Sequence, residues 1–321
     1  MRHLERNASK LVSAGFLILA SIVWGAAFVA QSLAGQSIGT YTFNGIRFII
    51  GGLCLLPMVG HNRKKGAPLP VSKLIGGAIC GAALFLASTF QQAGIAAGAG
   101  SGEAGFITAF YIILVPILGI CLGKKNSKLV YLAVLVALTG LYYLCFPSFS
   151  ALSESGIAVL STADILLLGC AFMFSVQILC VDHYAPIMSP VALSCTQFFV
   201  AGTLSCIFGF IFELLPDPAA WVASLSTFKA WIPILYTGIF SSAVGYTLQV
   251  VGQRNLSPTV ASLIMSMESV FATLFGWLIL HQTLSAREIL GCTLVFIAII
   301  LTQLHPQKIR TVSAKFRSSN S

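Results

Sequence analysis

The stretch FPSFSALSESGIAVLST, residues 146–162, divides this chain: five long apolar runs precede it and five follow. The runs lie near 11–31, 42–59, 71–93, 103–122 and 129–145, then 163–181, 190–212, 231–252, 258–280 and 287–303. Inside a bilayer each backbone amide and carbonyl must find its partner within the protein, so apolar runs of this length read as spanning helices. Composition agrees, because 57% of residues are hydrophobic and only 8% charged, with a mean hydropathy of +0.92. A soluble domain of similar size carries far more charge.

Five spans is an odd number, so two related halves would lie in the bilayer with opposite orientations, a construction that recurs in secondary transporters. The expected division is a first five-helix repeat over 1–145, an outer connecting loop over 146–162, a second repeat over 163–303 and a basic tail over 304–321. Sliding the sequence on itself by 157 residues places Gln92 on Gln249, Ala104 on Ala261, Ile107 on Ile264 and Gly119 on Gly276. A shift of 150 places Arg47, Phe48 and Gly52 on Gln197, Phe198 and Gly202. The identities are sparse, and the argument for duplication rests on topology more than on them.

The basic residues orient the chain. Arg2, Arg6 and Lys10 precede the first span, Arg63, Lys64, Lys65 and Lys73 fall about the second gap, and Lys124, Lys125 and Lys128 about the fourth. Arg254 lies in the eighth gap, and Lys308, Arg310, Lys315 and Arg317 follow the last span. Fifteen of the 18 basic residues thus share one face, which the positive-inside rule assigns to the cytoplasm together with both termini. The expected fold is an all-α membrane protein with ten transmembrane helices in two inverted repeats, in the cell (inner) membrane. The net charge of +9 follows from the same asymmetry. It is spread over short segments, which disfavours a nucleic-acid partner. A basic start before an apolar run is also the pattern of a signal peptide, but the run from Leu11 to Gln31 exceeds a usual signal core and nine more follow, so a retained helix is expected.

All nine cysteines lie within or at the ends of apolar runs, without a CxxC pair, and the histidines sit in tails, loops or helix ends. No metal site, haem or other cofactor is expected from such a set. Local signals fit spanning helices: Ser257-Pro258 reads as a cap followed by a first-turn proline, and Pro116 as a kink inside span four. Gly77-x3-Gly81 and Gly119-x3-Gly123 read as close-approach motifs between helices. The glycine-rich 94–102 reads as a turn, lacking the strand and Lys-Ser/Thr of a phosphate loop.

Polar groups in mid-span are expensive and mark water, partners or substrate. Glu268 lies at the centre of span nine on a strip with Ala261, Met265, Ala272 and Gly276. It reads either as a site for a substrate cation or proton, or as a structural carboxylate bonded to a neighbouring helix. Arg47, on one face with Asn44, Gly51 and Cys54, either clamps a substrate carboxylate or pairs with Glu103. Glu103 itself reads as a helix-start residue. Ser242, Tyr246, Gln249 and Gln253 line one face of span eight. Phe85, Ser88 and Gln92 do so in span three, Ser21, Trp24 and Phe28 in span one, Phe174 and Gln177 in span six, and Ser194 and Gln197 in span seven. Hydrogen-bonding groups interleaved with aromatics suggest a central pocket for a small amphipathic molecule. Spans five and ten have no ionisable or amide side chain in their interiors and are expected on the lipid-facing outside.

The stretches STFQQAGIAAGAGSGEAGFITAFYIILVP (88–116) and YTLQVVGQRNLSPTVASLIMSMESVFATLFGW (246–277), with Trp24-Gly25 and Asn44-Gly-x-Arg-Phe48, resemble the two halves of a bacterial EamA-type carrier of the drug/metabolite transporter superfamily. The resemblance implies a central pocket between helices 1–4 and 6–9 and transport of small metabolites, often amino acids and frequently outward. The family often has a proline where Ser269 stands and an acid near His281, and this chain differs at both.

The function expected is a secondary exporter of a small amino-acid-like or aromatic metabolite, working by alternating access without a cofactor. Glu268 takes the amine or a coupling proton, Arg47 a carboxylate, and Trp24, Phe85, Tyr111, Phe174 and Tyr246 the body. The partners are that metabolite, the bilayer and a coupling proton or ion, in a monomer or homodimer. The alternatives are an importer or exchanger of another metabolite or drug, an ion channel and, more distantly, an intramembrane enzyme. The last lacks an HExxH motif, a mid-span histidine and a second mid-span acid.

Overall fold

The computed structural model describes residues 2–62, 71–124, 126–145, 161–280 and 285–303. The outer loop 146–160 and the tail 304–321 lie outside the described residues, as does the loop 63–70. Among those described there are helices and no strands. In chain order they are α1 (Arg2–Gly35), α2 (Thr40–Asn62), α3 (Val71–Ala96), α4 (Ser101–Thr108), α5 (Tyr111–Cys121) and α6 (Lys128–Cys145). The second half holds α7 (Thr162–Tyr184), α8 (Pro190–Gly209), α9 (Pro218–Leu225), α10 (Phe228–Tyr236) and α11 (Thr247–Gln253). It ends with α12 (Pro258–Met265), α13 (Met267–Leu280) and α14 (Ala286–Gln303).

Eight stretches are long and apolar enough to cross a bilayer. They are α1 from Ser9, α2, α3, α4 with α5, α7, α8 with its extension to Leu214, α10 through α11, and α12 with α13. The shorter helices α6 and α14, of 18 residues each, coincide with the fifth and tenth apolar runs. These two pack along one another, where Gly140 meets the backbone of Gly291 and Val295. The short helix α9 is an addition that hydropathy left inside a loop; Asp217 caps it and Pro218 opens it.

Helix starts follow their caps. Ser161 and Asp164 form a capping box on α7, while Ser189-Pro190 and Ser257-Pro258 open α8 and α12 with the serine hydroxyls accepting from Ala192 and Val260 amides. Glycine endings are equally regular. Gly98 and Gly123 have φ of 111° and 72°, a region in which a side chain is strained. After α5, the amides of Gly123 and Lys124 bond back to the carbonyls of Ile120 and Gly119, the double bond of a Schellman ending. Gly119-x3-Gly123 is therefore a helix stop and not a packing seam, since nothing from another helix approaches either glycine. Gly77 and Gly81 do form such a seam: they abut Thr196, Gln197 and Val200 of α8.

Two spans are broken. In span four the ladder gives way at Ala109–Phe110, where the amides of Phe110, Ile112 and Ile113 bond three residues back. In span nine the break is at Ser266, and Ser269 likewise bonds Ser266. Pro116, expected to kink span four, instead sits inside α5, and the break lies six residues earlier. Helices α4 and α12 have matching limits: caps Gly100 and Ser257, starts Ser101 and Pro258, ends Thr108 and Met265 are each 157 residues apart. Across the core α4 packs on α13 and α5 on α12. Farther out, α2 packs on α8, α3 on α7 and α8, and α1 on α13, α11 and the segment before α11.

That segment, Thr237–Tyr246, is a π-helix, as is Phe210–Leu214 at the end of α8. The wider turn lets α1 and α2 approach it closely, with Gly245 against the Trp24 indole and Gly238 against Arg47 O.

An ion pair ties the two halves together: Lys124 Nζ, just after α5, meets Asp182 Oδ2 of α7, a nearly buried carboxylate. Lys124→Ala removes the ammonium from a buried acid and is expected to lower stability by about 1–2 kcal/mol, less than for a fully buried pair because Lys124 reaches water. Thermal unfolding in detergent checks this, with Lys124→Arg retaining most of the native stability.

Candidate functional site

A void of about 40 Å³ lies at the centre of the bundle. Helix α1 lines it with Trp24, Ala27, Phe28 and Gln31; α2 supplies Arg47, α3 Gln91 and α5 Tyr111. From the second half come Phe174, Gln177 and Ile178 of α7, Ser241 and Tyr246 of the π-helix, Gln249 of α11, Met265 of α12 and Glu268 of α13. Neither α6 nor α14 contributes.

Glu268 and Tyr111 sit directly after the two breaks, each in the first turn of the second half-helix. Tyr111 donates its hydroxyl to Glu268 Oε1 at 2.8 Å. The carboxylate gains from the positive end of the α13 dipole. The next residue, Ser269, donates across to Gly105 O of α4 at 2.8 Å, which ties the two broken spans together.

Arg47 is buried, with its guanidinium 4.6 Å from the Phe48 ring centre and 5.3 Å from that of Phe43. Nη1 donates to Gln31 Oε1 at 3.4 Å, a long bond, and Nε has no partner. The expected alternative, an ion pair with Glu103, is not formed: Glu103 turns back to cap α4, accepting from the Gly100 amide. Arg47 is thus a buried cation met by rings and one amide, with donor capacity left over.

Aromatic packing encloses the rest. The Trp24 and Tyr246 ring centres are 4.9 Å apart, and Phe198 meets Tyr246 edge-on at 5.7 Å. Trp24 Nε1 donates to Ser241 O at 3.2 Å, a carbonyl within the π-helix. A chain of amides adjoins the void: Gln249 Nε2 donates to Gln177 Oε1 at 3.0 Å, and Gln177 Nε2 to Gln197 Oε1 at 3.3 Å. Gln249 Oε1 and Gln197 Nε2 are buried and unpartnered at its two ends. Among the described residues no three His, Cys, Asp or Glu side chains gather as metal ligands.

Of the residues singled out from the sequence, Trp24, Arg47, Tyr111, Phe174, Gln177, Tyr246, Gln249 and Glu268 line the void. Asn44, Phe85, Gln92 and Gln197 stand behind that lining. Asn44 donates to Ser88 O, Gln92 to Gln31 O, Gln197 accepts from Gln177, and Phe85 packs on Phe208. Span seven thus supports the pocket without facing it. Met265, on the Glu268 strip, also lines it; sequence reasoning passed over Gln31, Gln91 and Ser241. Gln91 faces the void because its neighbour Gln92 faces α1, and it donates to Thr108 Oγ1 at 3.3 Å. Ser241 enters because the π-helix rotates span eight; Ser242, expected there, packs against Gly51.

Comparison with known proteins places this arrangement. A model described as the EamA-like transporter family matches the chain twice, at residues 12–146 and 161–304. An uncharacterized transporter of Archaeoglobus fulgidus is 30% identical over 290 residues, covering 90% of this chain and 84% of its own. The uncharacterized inner membrane transporter YedA of Escherichia coli is 21% identical, over 90% of each chain. A solved crystal structure superposes with a TM-score of 0.72 at 16% identity, over 91% of this chain and 96% of the other, and so shares the fold. The protein is a multi-pass membrane transporter of the cell membrane, and the chain belongs to the EamA-like transporter family.

Proposed function

We propose that the protein is a secondary exporter of a small amino-acid-like metabolite, with ten helices in two inverted five-helix repeats, both termini cytoplasmic, and alternating access about the central void. The observation that carries the reading is the void itself. It holds one acid, Glu268, and one base, Arg47, among aromatic walls, and no ion pair joins the two. A molecule bearing both an amine and a carboxylate supplies what each lacks, and the rings of Trp24, Phe174 and Tyr246 hold its body.

The inverted repeat is supported by the two family matches, which meet near the same loop, and by the equal spacing of the breaks. The packing also exchanges correctly. If each span n is swapped with span n + 5, the contact of α3 with α7 becomes that of α11 with α1, and the contact of α1 with α13 becomes that of α7 with α5. A swap of this kind, about an axis in the membrane plane, is the symmetry that lets one repeat rock against the other. The outward direction follows the resemblance to family carriers.

The test is uptake and efflux of a labelled amino-acid panel in proteoliposomes. Saturable flux of at least one member is expected, and flux of none overturns the reading. Flux that rises without saturation marks a channel.

A further inference from the structure

The two residues that close on each other at the middle of the void, Tyr111 and Glu268, are 157 residues apart, the same spacing that superposes α4 on α12. In the two repeats proposed above they are therefore the same position, each just past its break, and they meet between the halves. One copy is an acid and the other a phenol. We propose that Tyr111 is the stand-in ligand of Glu268 in the empty carrier: its hydroxyl occupies the carboxylate until the substrate amine displaces it.

The inference rests on the carrier reading above and adds a role to it. A carboxylate enclosed by apolar helices requires a donor in every state it passes through. When substrate is present its ammonium group is the donor. When the site is empty the carrier must still return, and within the site the described structure offers the Tyr111 hydroxyl at 2.8 Å. Tyr111 is buried, its ring is held by the cluster around Ile107, Ile112 and Met267, and it opens α5. Its hydroxyl thus stays within reach of Glu268 without any rearrangement of the backbone. The bond also joins the two halves at the point where both spans are interrupted, so occupancy and the relation of the repeats are coupled through one contact.

A positioning role of this kind separates two modes of transport. Exchange of labelled for unlabelled substrate needs only the loaded carrier to reorient, whereas net efflux also needs the empty carrier to return. Tyr111→Phe keeps the ring and deletes the donor. It is expected to slow net efflux more than exchange, raising the ratio of exchange to net flux by about tenfold, the worth of one hydrogen bond to a charged group. Tyr111→His, which keeps a donor, is expected to hold the ratio near the native value. The substrate for both is the amino acid that the native protein carries fastest in the labelled panel. Equal loss of both modes, or no change in either, overturns the proposal.

A second measurement uses the native protein alone. Infrared difference spectra are expected to show the tyrosine C–O band shifting when that amino acid is added, and the shift to vanish in Glu268→Gln. An unshifted band overturns the proposal whatever the variants do. If the native protein carries no amino acid in either mode, the carrier reading falls and this inference with it; if it does and the ratio is unmoved, only this inference falls.

Discussion

Glu268→Gln is expected to cut transport of an amine-bearing substrate by about 10- to 100-fold while leaving the protein folded. The amide fills the same volume and its oxygen still accepts from Tyr111, which donates at 2.8 Å to Oε1 in the native protein. What is lost is the charge. A hydrogen bond to an ionised group contributes about 1.5–3 kcal/mol, which corresponds to that range of rates when it acts in the loaded carrier. Flux in proteoliposomes at matched protein content is the measurement, with thermal unfolding as the control for folding. Unchanged flux assigns Glu268 to helix packing and removes it from the site.

The largest expected effect on the fold comes from Gly25. A Cβ placed there falls 2.8 Å from the backbone nitrogen of Ala272 and closer still to the Phe271 side chain. Neither neighbour can turn away, because both belong to the body of α13. Gly25→Ala must therefore push α1 from α13 beside Trp24 and the void, and overpacking of this kind costs about 1–3 kcal/mol. Gly15, ten residues earlier on α1, has nothing within 4 Å of the equivalent Cβ. Gly15→Ala is expected to be neutral or mildly stabilising, since alanine is the better helix former. Unfolding temperatures of the two variants in one detergent decide the matter, and equal temperatures refute the close crossing of α1 and α13.

Much of the fold was legible because the bilayer imposes one rule on every span, and hydropathy reports that rule directly. The start of α12 was legible as a Ser-Pro pair, and the end of α3 as a glycine turn. The breaks in spans four and nine were not. Neither TAF at 108–110 nor MSM at 265–267 contains a proline or a glycine pair, and Pro116, the visible breaker, lies elsewhere. The half-helices on either side of each break pack on the other broken span, a tertiary relation that no local sequence signal carries.

The site shows the same division. Glu268, Arg47 and the aromatic residues stood out because charge and rings are conspicuous in an apolar run. Choosing between Gln91 and Gln92, or between Ser241 and Ser242, needs the rotation of a helix to within one residue. Straight 3.6-residue periodicity gives the wrong rotation for span eight once a π-helix intervenes. The glycine pair at 119 and 123 misled for a related reason: the spacing of a packing seam also occurs at a Schellman ending.

The interrupted spans bear on how a carrier of this shape opens. A continuous rod through a membrane transmits any tilt from one leaflet to the other, so the two mouths would move together. Here α4 leans on α13 and α5 on α12, with the breaks between the two pairs. In the carrier proposed above, one pair of half-rods would yield while the other stays shut, and the joint between them would hold the cargo.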